Sequence, residues 1–170
     1  MDGITYIDDF LVDPNTVFDY LKTHVEWDER MVIRKTASYG VAYNYSQIMY
    51  PYRPLLPVLD KICLDVQNKL GFKPNNCLIN YYPDGNSKMG FHSDQTDILM
   101  RDTGVVIISL GAPRILRFRQ IGNKDIVSDF ELPSGSLIYM PQFIQHTWQH
   151  AILKSNTDKD RMSLTLRTIV

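Results

Sequence analysis

Two segments of the chain carry apolar residues at the spacing of an amphipathic helix. In the first, Asp13 can cap the N-terminus and Pro14 occupies the first helical position. Three apolar residues then share one face of this helix: Val17, Phe18 and Leu21. The second segment runs from about residue 54 to residue 70, repeats apolar residues every three or four positions, and is followed by Gly71, a residue typical of helix ends. The pattern therefore predicts two helices in the first half of the chain.

After Gly71 the pattern changes to short runs rich in β-branched and aromatic residues. The predicted strands are CLINYY, GVVIISL, ILRFR, SLIYM, TWQHAI and MSLTLRTI. Turn or loop signals separate them: PDGN, GAP, IGNKD and PSGS. Strands at this density, with no helices between them, favour an antiparallel sandwich, barrel or jelly roll. We predict a mainly β, α+β fold in which helices pack on one side of a β core.

Length and composition indicate one globular domain. The chain has 170 residues, of which 44% are hydrophobic and 22% charged, and no apolar stretch approaches the roughly 20 residues that cross a bilayer. The N-terminus lacks the basic and apolar regions of a secretory signal. Cys63 and Cys77 form no CxxC pair, which favours two buried free thiols. We expect a monomer, without membrane contact, in the cytoplasm or another reducing intracellular compartment.

The charge balance limits how a polyanion could bind. The net charge is −1 and the pI is near 6.4, so no global positive field attracts nucleic acid. Contacts with nucleic acid would have to come from a local patch of cations. The simpler explanation of any such patch is that its side chains are solvated surface residues with no binding role. Two sets are candidates: Arg114, Arg117, Arg119 and Lys124, or Arg30, Arg34 and Lys35.

Three residues of the second half have the chemistry of an iron site. His92 and Asp94 are two positions apart, so on an extended strand both point to one face. Such a pair alone often arises by chance, but His150 follows in a predicted strand. Two imidazoles and one carboxylate are the ligand set of non-haem Fe(II) oxygenases, in which a 2-oxo acid and dioxygen take the open positions. His146 lies on the same predicted strand face as His150, so alternation alone does not decide between them.

The last predicted strand carries an unusual polar row. At every second position it has a polar side chain, in the order Arg161, Ser163, Thr165 and Arg167. An edge strand with two solvated cations would explain either arginine alone. Beside an iron site, a guanidinium can instead pair in a bidentate manner with the distal carboxylate of 2-oxoglutarate, which would otherwise be buried without a partner. The row therefore favours an anion-binding wall.

Taken in order, these motifs resemble the AlkB family of Fe(II)- and 2-oxoglutarate-dependent dioxygenases. The resemblance covers roughly residues 35 to 170 and rests on the following segments: SYGVAYNYS, LINYYPDG, FHSD, ISLGAPRILRFR, WQHAILK and RMSLTLRTI. It implies a double-stranded β-helix (jelly roll) core at about residues 75–170. It also implies an N-terminal helix and substrate-lid region at about residues 1–50, all within a single domain of residues 1–170.

The resemblance also implies roles for individual residues. His92, Asp94 and His150 would be the catalytic iron ligands, with His150 preferred to His146 because Trp148 precedes it as in the family motif. Asn80 and Tyr82 would hydrogen-bond 2-oxoglutarate, and Arg161 would pair with its distal carboxylate. Ser163 would lie near the cosubstrate, and Arg167 near the end that chelates iron. The residues implied near the substrate are Tyr39, Tyr43 and Tyr45 in the lid, together with Thr96.

Two positions differ from the family pattern. Thr96 stands where repair enzymes of the family carry an acidic residue that reads the base, and Ser163 stands where the family usually has Asn. The resemblance implies oxidative demethylation of N-alkylated bases in DNA or RNA, with Fe(II), 2-oxoglutarate and O₂. The alternatives are the same chemistry on a small molecule or a protein side chain, and a non-catalytic binding module, against which the complete ligand and arginine set argues.

Overall fold

The computed structural model describes residues 1–170 and contains twelve strands and three helices. The first half holds β1 (Thr5–Ile7), α1 (Pro14–His24), β2 (Lys35–Gly40), β3 (Tyr43–Tyr45), β4 (Ile48–Tyr50) and α2 (Pro57–Leu70). The second half holds β5 (Asn76–Tyr82), β6 (Met89–His92), β7 (Val105–Gly111), β8 (Arg114–Gln120), β9 (Val127–Leu132), β10 (Leu137–Met140), α3 (Ile144–Thr147), β11 (Trp148–Ile152) and β12 (Arg161–Arg167). No helix combines the length and the apolar character that a membrane span requires.

Two antiparallel sheets form the core. The larger sheet has the strand order β1-β10-β7-β12-β5-β2, the smaller one has the order β6-β11-β8-β9, and β3 and β4 form a separate hairpin. Apolar side chains of both sheets pack together between them, among them Ile107 and Ile138 from the larger sheet and Leu116 and Phe118 from the smaller one. This double-sheet arrangement confirms the predicted mainly β, jelly-roll class.

The two long helices cover the outer face of the larger sheet. Leu21 of α1 and Ile62 of α2 belong to one buried cluster with Ile108 and Leu164 of the sheet. Because side chains alternate along a strand, the even-numbered residues of β12 point to these helices and its odd-numbered residues point between the sheets. The helix layer thus supports one face of the strand whose other face carries the polar row.

The helix boundaries follow from local chemistry. The Asp13 side chain accepts a hydrogen bond from the Thr16 backbone N–H, as an N-cap should. The second helix begins at Pro57 rather than at residue 54, because a residue before proline is driven into extended backbone, and Leu56 has ψ 147°. Gly71 ends the helix in the left-handed conformation with φ 90°.

Both cysteines are buried and free. Burial is the largest influence on both thiols, and it raises the pKa of Cys63 to about 11 and that of Cys77 well above its ordinary value. Neither thiol is therefore activated for chemistry.

Candidate metal centre

Two histidines and one aspartate converge at the edge of the smaller sheet. His92 ends β6 and lies directly opposite His150 of β11 in the strand register. Asp94 Oδ1 lies 3.3 Å from His92 Nε2 and 3.7 Å from His150 Nε2. One ligand atom from each residue lies within 4.8 Å of the others, so the three side chains could hold one metal ion.

Hydrogen bonds around this cluster fix its orientation. His92 Nδ1 donates to the Gly90 carbonyl at 2.8 Å, which leaves the Nε2 lone pair free to face a metal. The Asp94 backbone N–H donates to Gln145 Oε1 at 2.7 Å, and Asp94 Oδ2 accepts from Arg167 at 3.3 Å. The carboxylate and one imidazole are thus held in place by neighbouring groups.

The electrostatics favour metal-binding protonation states at two of the three groups, Asp94 and His150. Burial raises the pKa of Asp94, but Arg167 and the two imidazoles outweigh it and hold the pKa far below its usual range. Burial lowers the pKa of His150 to about 4, so this imidazole is neutral at pH 7. At His92, burial lowers the pKa, but the hydrogen bond that the ring donates to the Asp94 carboxylate, the charge of that carboxylate and the bond to Gly90 together outweigh burial, so the pKa is raised.

His146 does not join the cluster. It was expected to lie on the same strand face as His150, but residues 144–147 form the short helix α3, and β11 begins only at Trp148. The His146 side chain is exposed. The helical turn therefore resolves the choice that alternation left open, in favour of His150.

A pocket lined by both polar and apolar side chains adjoins the three residues. One wall is the inner face of β12, and the predicted row of Arg161, Ser163, Thr165 and Arg167 does line it. Asn80 and Tyr82 of β5 line the same pocket, and Ser163 pairs across the sheet with Asn80. The structure thus brings all five residues predicted near 2-oxoglutarate to one cavity beside the metal cluster.

Several buried polar atoms of this pocket lack any partner within the protein. They are Nε and one terminal N of both Arg161 and Arg167, the Asn80 amide nitrogen, and the Tyr82 hydroxyl. Arg161 bonds only Ser109 Oγ, at 2.8 Å, and it is fully buried without a carboxylate. Buried donors are nearly always satisfied in proteins. An acid with carboxylate oxygens at both ends would accept from them, so this donor set fits 2-oxoglutarate, and the two imidazoles with Asp94 fit Fe(II).

The predicted lid residues divide into two groups. Tyr45 lines the pocket, and Tyr43 and Tyr45 together line an adjoining surface groove that also borders His92 and Asp94. The prediction for Tyr39 is wrong: alternation along β2 turns it to the opposite face of the sheet, where it packs into the helix-side core. Thr96 lies in the turn after Asp94 and lines neither the pocket nor the groove.

Two arginines assigned to surface patches have other positions. Arg114 is buried, and its guanidinium donates to the carbonyls of Asp84, Ser87 and Leu153. Arg34 lines the groove and bonds Asn80 and Tyr45. Sequence reasoning missed the second role because Arg34 lies in an irregular segment before β2, where no periodicity indicates direction.

Comparisons with known proteins agree with this site. A sequence model described as the 2OG-Fe(II) oxygenase superfamily matches residues 14–167. The chain is 29% identical over 179 residues to "Alpha-ketoglutarate-dependent dioxygenase alkB homolog 3" of Rattus norvegicus, covering 94% of this chain and 61% of that protein. It is 31% identical over 150 residues to "DNA oxidative demethylase ALKBH2" of Homo sapiens, covering 82% of this chain and 58% of that protein.

The fold is also found among solved structures. The structure of OsALKBH1 superimposes with a TM-score of 0.72 at 16% identity, covering 99% of both chains. The present chain spans about six-tenths of the length of the curated relatives it matches.

Proposed function

From the premise that the chain belongs to the 2OG-Fe(II) oxygenase superfamily, and to its AlkB-like branch, we propose that it oxidatively removes N-alkyl groups from nucleobases in DNA or RNA. The observation that carries the chemistry is the meeting of His92, Asp94 and His150 beside buried arginine, amide and phenol donors that have no partner. Neither feature serves stability. Unpaired buried donors cost folding free energy, so a ligand that completes them explains their retention.

Each residue has a place in this proposal. His92 Nε2, His150 Nε2 and an Asp94 oxygen hold Fe(II), and Arg167 keeps the carboxylate ionised and oriented. Arg161 offers its free Nε and terminal N to the distal carboxylate of 2-oxoglutarate, while Ser109 holds its third nitrogen. Asn80 and Tyr82 donate to the cosubstrate from β5.

The reaction balances without further reagents. Bound Fe(II) and 2-oxoglutarate supply the oxidation of one C–H bond of the N-alkyl group by O₂, with release of succinate and CO₂. The hydroxylated alkyl group then leaves as an aldehyde, and the base nitrogen regains a proton. The protein contributes binding, orientation and exclusion of water from a largely buried pocket.

The substrate class rests on the relatives and on the groove. One relative is named as a DNA oxidative demethylase, and the groove beside His92 presents Tyr43, Tyr45 and Phe91. A base must leave its stack to reach a buried iron, and aromatic rings can then stack on it. This supports a nucleobase substrate over a small acid or a protein side chain.

A turnover assay with matched substrates tests the proposal. The protein with Fe(II), 2-oxoglutarate and O₂ is given single-stranded DNA or RNA containing N-methylated adenine or cytosine, the same strands unmethylated, and free methylated nucleosides. Succinate and formaldehyde are both measured, with Asp94→Ala as the inactive control. We expect equimolar formaldehyde and succinate from methylated strands only.

The other outcomes separate the parts of the proposal. Slow succinate release that no nucleic acid stimulates would retain the iron chemistry and overturn the substrate, favouring a small molecule or protein side chain. No succinate under any condition, with iron bound, would overturn the oxygenase activity itself.

A further inference from the structure

We infer that Arg34 is a positioning residue: it orients the Asn80 amide toward the cosubstrate and ties the lid hairpin β3–β4 to that same amide. The inference rests on the proposed function, since it assigns Asn80 a contact with 2-oxoglutarate. From the sequence, this arginine was placed only in a candidate surface patch of cations.

Each of the three nitrogens of the Arg34 guanidinium donates a hydrogen bond to a different segment. Nε donates to Asn80 Oδ1 of β5 at 3.0 Å, one terminal N donates to the Lys88 carbonyl at 2.8 Å, and the other donates to the Tyr45 hydroxyl at 2.8 Å. All three acceptors are neutral. The side chain therefore does not serve a salt bridge, and its fixed fork joins β5, the residue before β6 and the hairpin.

The bond to Asn80 decides which end of the amide faces the pocket. A guanidinium has donors only, so it can pair with the amide oxygen and never with the NH₂ group. The NH₂ group must then point away from Arg34, and it is the buried Asn80 atom that lacks a partner in the pocket. Without Arg34, the amide could rotate by half a turn. Its oxygen would then face the anionic cosubstrate, and the two groups would repel each other.

The same guanidinium connects the cosubstrate wall to the substrate groove. Tyr45 lines both the pocket and the groove, and its ring stacks on Tyr43 with centroids 6.2 Å apart. Arg34 therefore bridges a residue next to 2-oxoglutarate and a residue next to the substrate. Loss of Arg34 should weaken the binding of both ligands, whereas loss of the Asn80 amide should weaken only the binding of the cosubstrate.

The test measures 2-oxoglutarate binding without turnover, by calorimetry on the Mn(II)-loaded protein. We expect Arg34→Ala to raise the dissociation constant roughly tenfold, the effect of about one hydrogen bond. KM for 2-oxoglutarate should rise by the same factor while kcat changes much less. Arg34→Lys keeps one donor for Asn80 Oδ1, so its dissociation constant should lie between those of the wild type and of Arg34→Ala. Arg30→Ala is the matched control, because Arg30 pairs with Asp28 and points to solvent.

A double-mutant cycle separates positioning from a general structural effect. In an Asn80→Ala background there is no amide left to orient, so Arg34→Ala should add almost nothing to the loss of 2-oxoglutarate affinity. Unchanged affinity in Arg34→Ala, or an equal loss in both backgrounds, overturns the inference. If Arg34→Ala does not fold, Arg34→Lys in both backgrounds carries the same comparison. A wild-type protein that binds no 2-oxoglutarate would overturn the proposed function as well, so the two failures are distinguishable.

Discussion

The side chains of Arg161 and Arg167 are buried, yet each keeps guanidinium N–H groups without an acceptor from the protein. A buried unpaired donor costs roughly 1–3 kcal/mol, and more when it is charged. In Arg161, burial is the main influence and lowers the pKa, since no carboxylate compensates it. The free energy of unfolding is therefore reduced at these positions, and a dicarboxylate ligand would recover part of it.

Arg161→Lys should raise the 2-oxoglutarate concentration needed for half-maximal turnover by about 10- to 100-fold, the effect of one or two charge-assisted hydrogen bonds. Lysine keeps the charge, but its ammonium lacks the planar fork that presents two parallel N–H groups to one carboxylate while a third nitrogen bonds Ser109. Initial rates at varied 2-oxoglutarate measure this directly. An unchanged dependence would remove Arg161 from its assigned role.

His150→Ala and His146→Ala form a matched pair. Loss of His150 removes one of three converging ligand atoms, so the affinity for Mn(II) or Fe(II) should fall more than about 100-fold. This exceeds the effect of losing a residue that only hydrogen-bonds a metal ligand. His146 is exposed on α3, and its loss should leave metal affinity unchanged. Metal titration of both variants, with thermal unfolding as the folding check, decides the assignment. A reversed result would move the third ligand to His146.

At the scale of secondary-structure elements, β12 shows why part of the site could be predicted. Alternation along the strand indicates which side chains share one face of the sheet, and the row from Arg161 to Arg167 faces the pocket as this pattern predicts. Tyr39 was assigned to the lid from the family resemblance and not from this period, and the face that it occupies is set by the pairing of β2 with β5, which the sequence does not reveal.

Other elements were missed for similar reasons. Residues 127–132 form β9, whose alternating exposed positions at a sheet edge carry few apolar residues. The helical turn of α3 is too short to show a period. Arg34 acts through contacts 46 residues apart in sequence, which no local pattern encodes.

Gly85 joins two loops that flank the site. Its N–H donates to the Thr157 carbonyl and its carbonyl accepts from the Ser155 N–H. A Cβ at Gly85 would lie 1.8 Å from the Ser155 carbonyl oxygen, so Gly85→Ala must separate the β5–β6 loop from the segment after β11. We expect a loss of about 1–3 kcal/mol in the free energy of unfolding, measured by urea denaturation.

Gly122→Ala is the control for that change. Nothing lies within 4 Å of a Cβ at Gly122, and its backbone is not left-handed, so alanine should be neutral or stabilise by up to about 1 kcal/mol. Equal destabilisation of both variants would mean that the two loops do not depend on close backbone approach.

For the whole molecule, about half of the surface cations are paired with acids of the chain. Arg30 pairs with Asp28, Lys35 with Glu29 and Arg117 with Asp129. Near the groove, three cations have no acidic partner. Arg34 and Arg119 donate their hydrogen bonds to neutral groups, and Lys88 is exposed just before β6. The Arg119 guanidinium also lies 3.8 Å from the Phe91 ring centroid, beside the groove.

This distribution predicts weak salt dependence for nucleic-acid binding. Each phosphate contact to a single strand contributes a slope of about −0.7 to log K against log salt, so two or three contacts give about −1.4 to −2.1. Raising salt from about 50 to about 200 mM should then weaken binding of a methylated oligonucleotide only about 7- to 18-fold, against roughly 300-fold or more expected for six or more contacts to a single strand. Fluorescence anisotropy at several salt concentrations measures the slope. Because the chain's net charge of −1 provides no long-range attraction, a slope steeper than about −4 would require a basic surface that these residues do not form, and the path of the strand would have to be sought away from the groove.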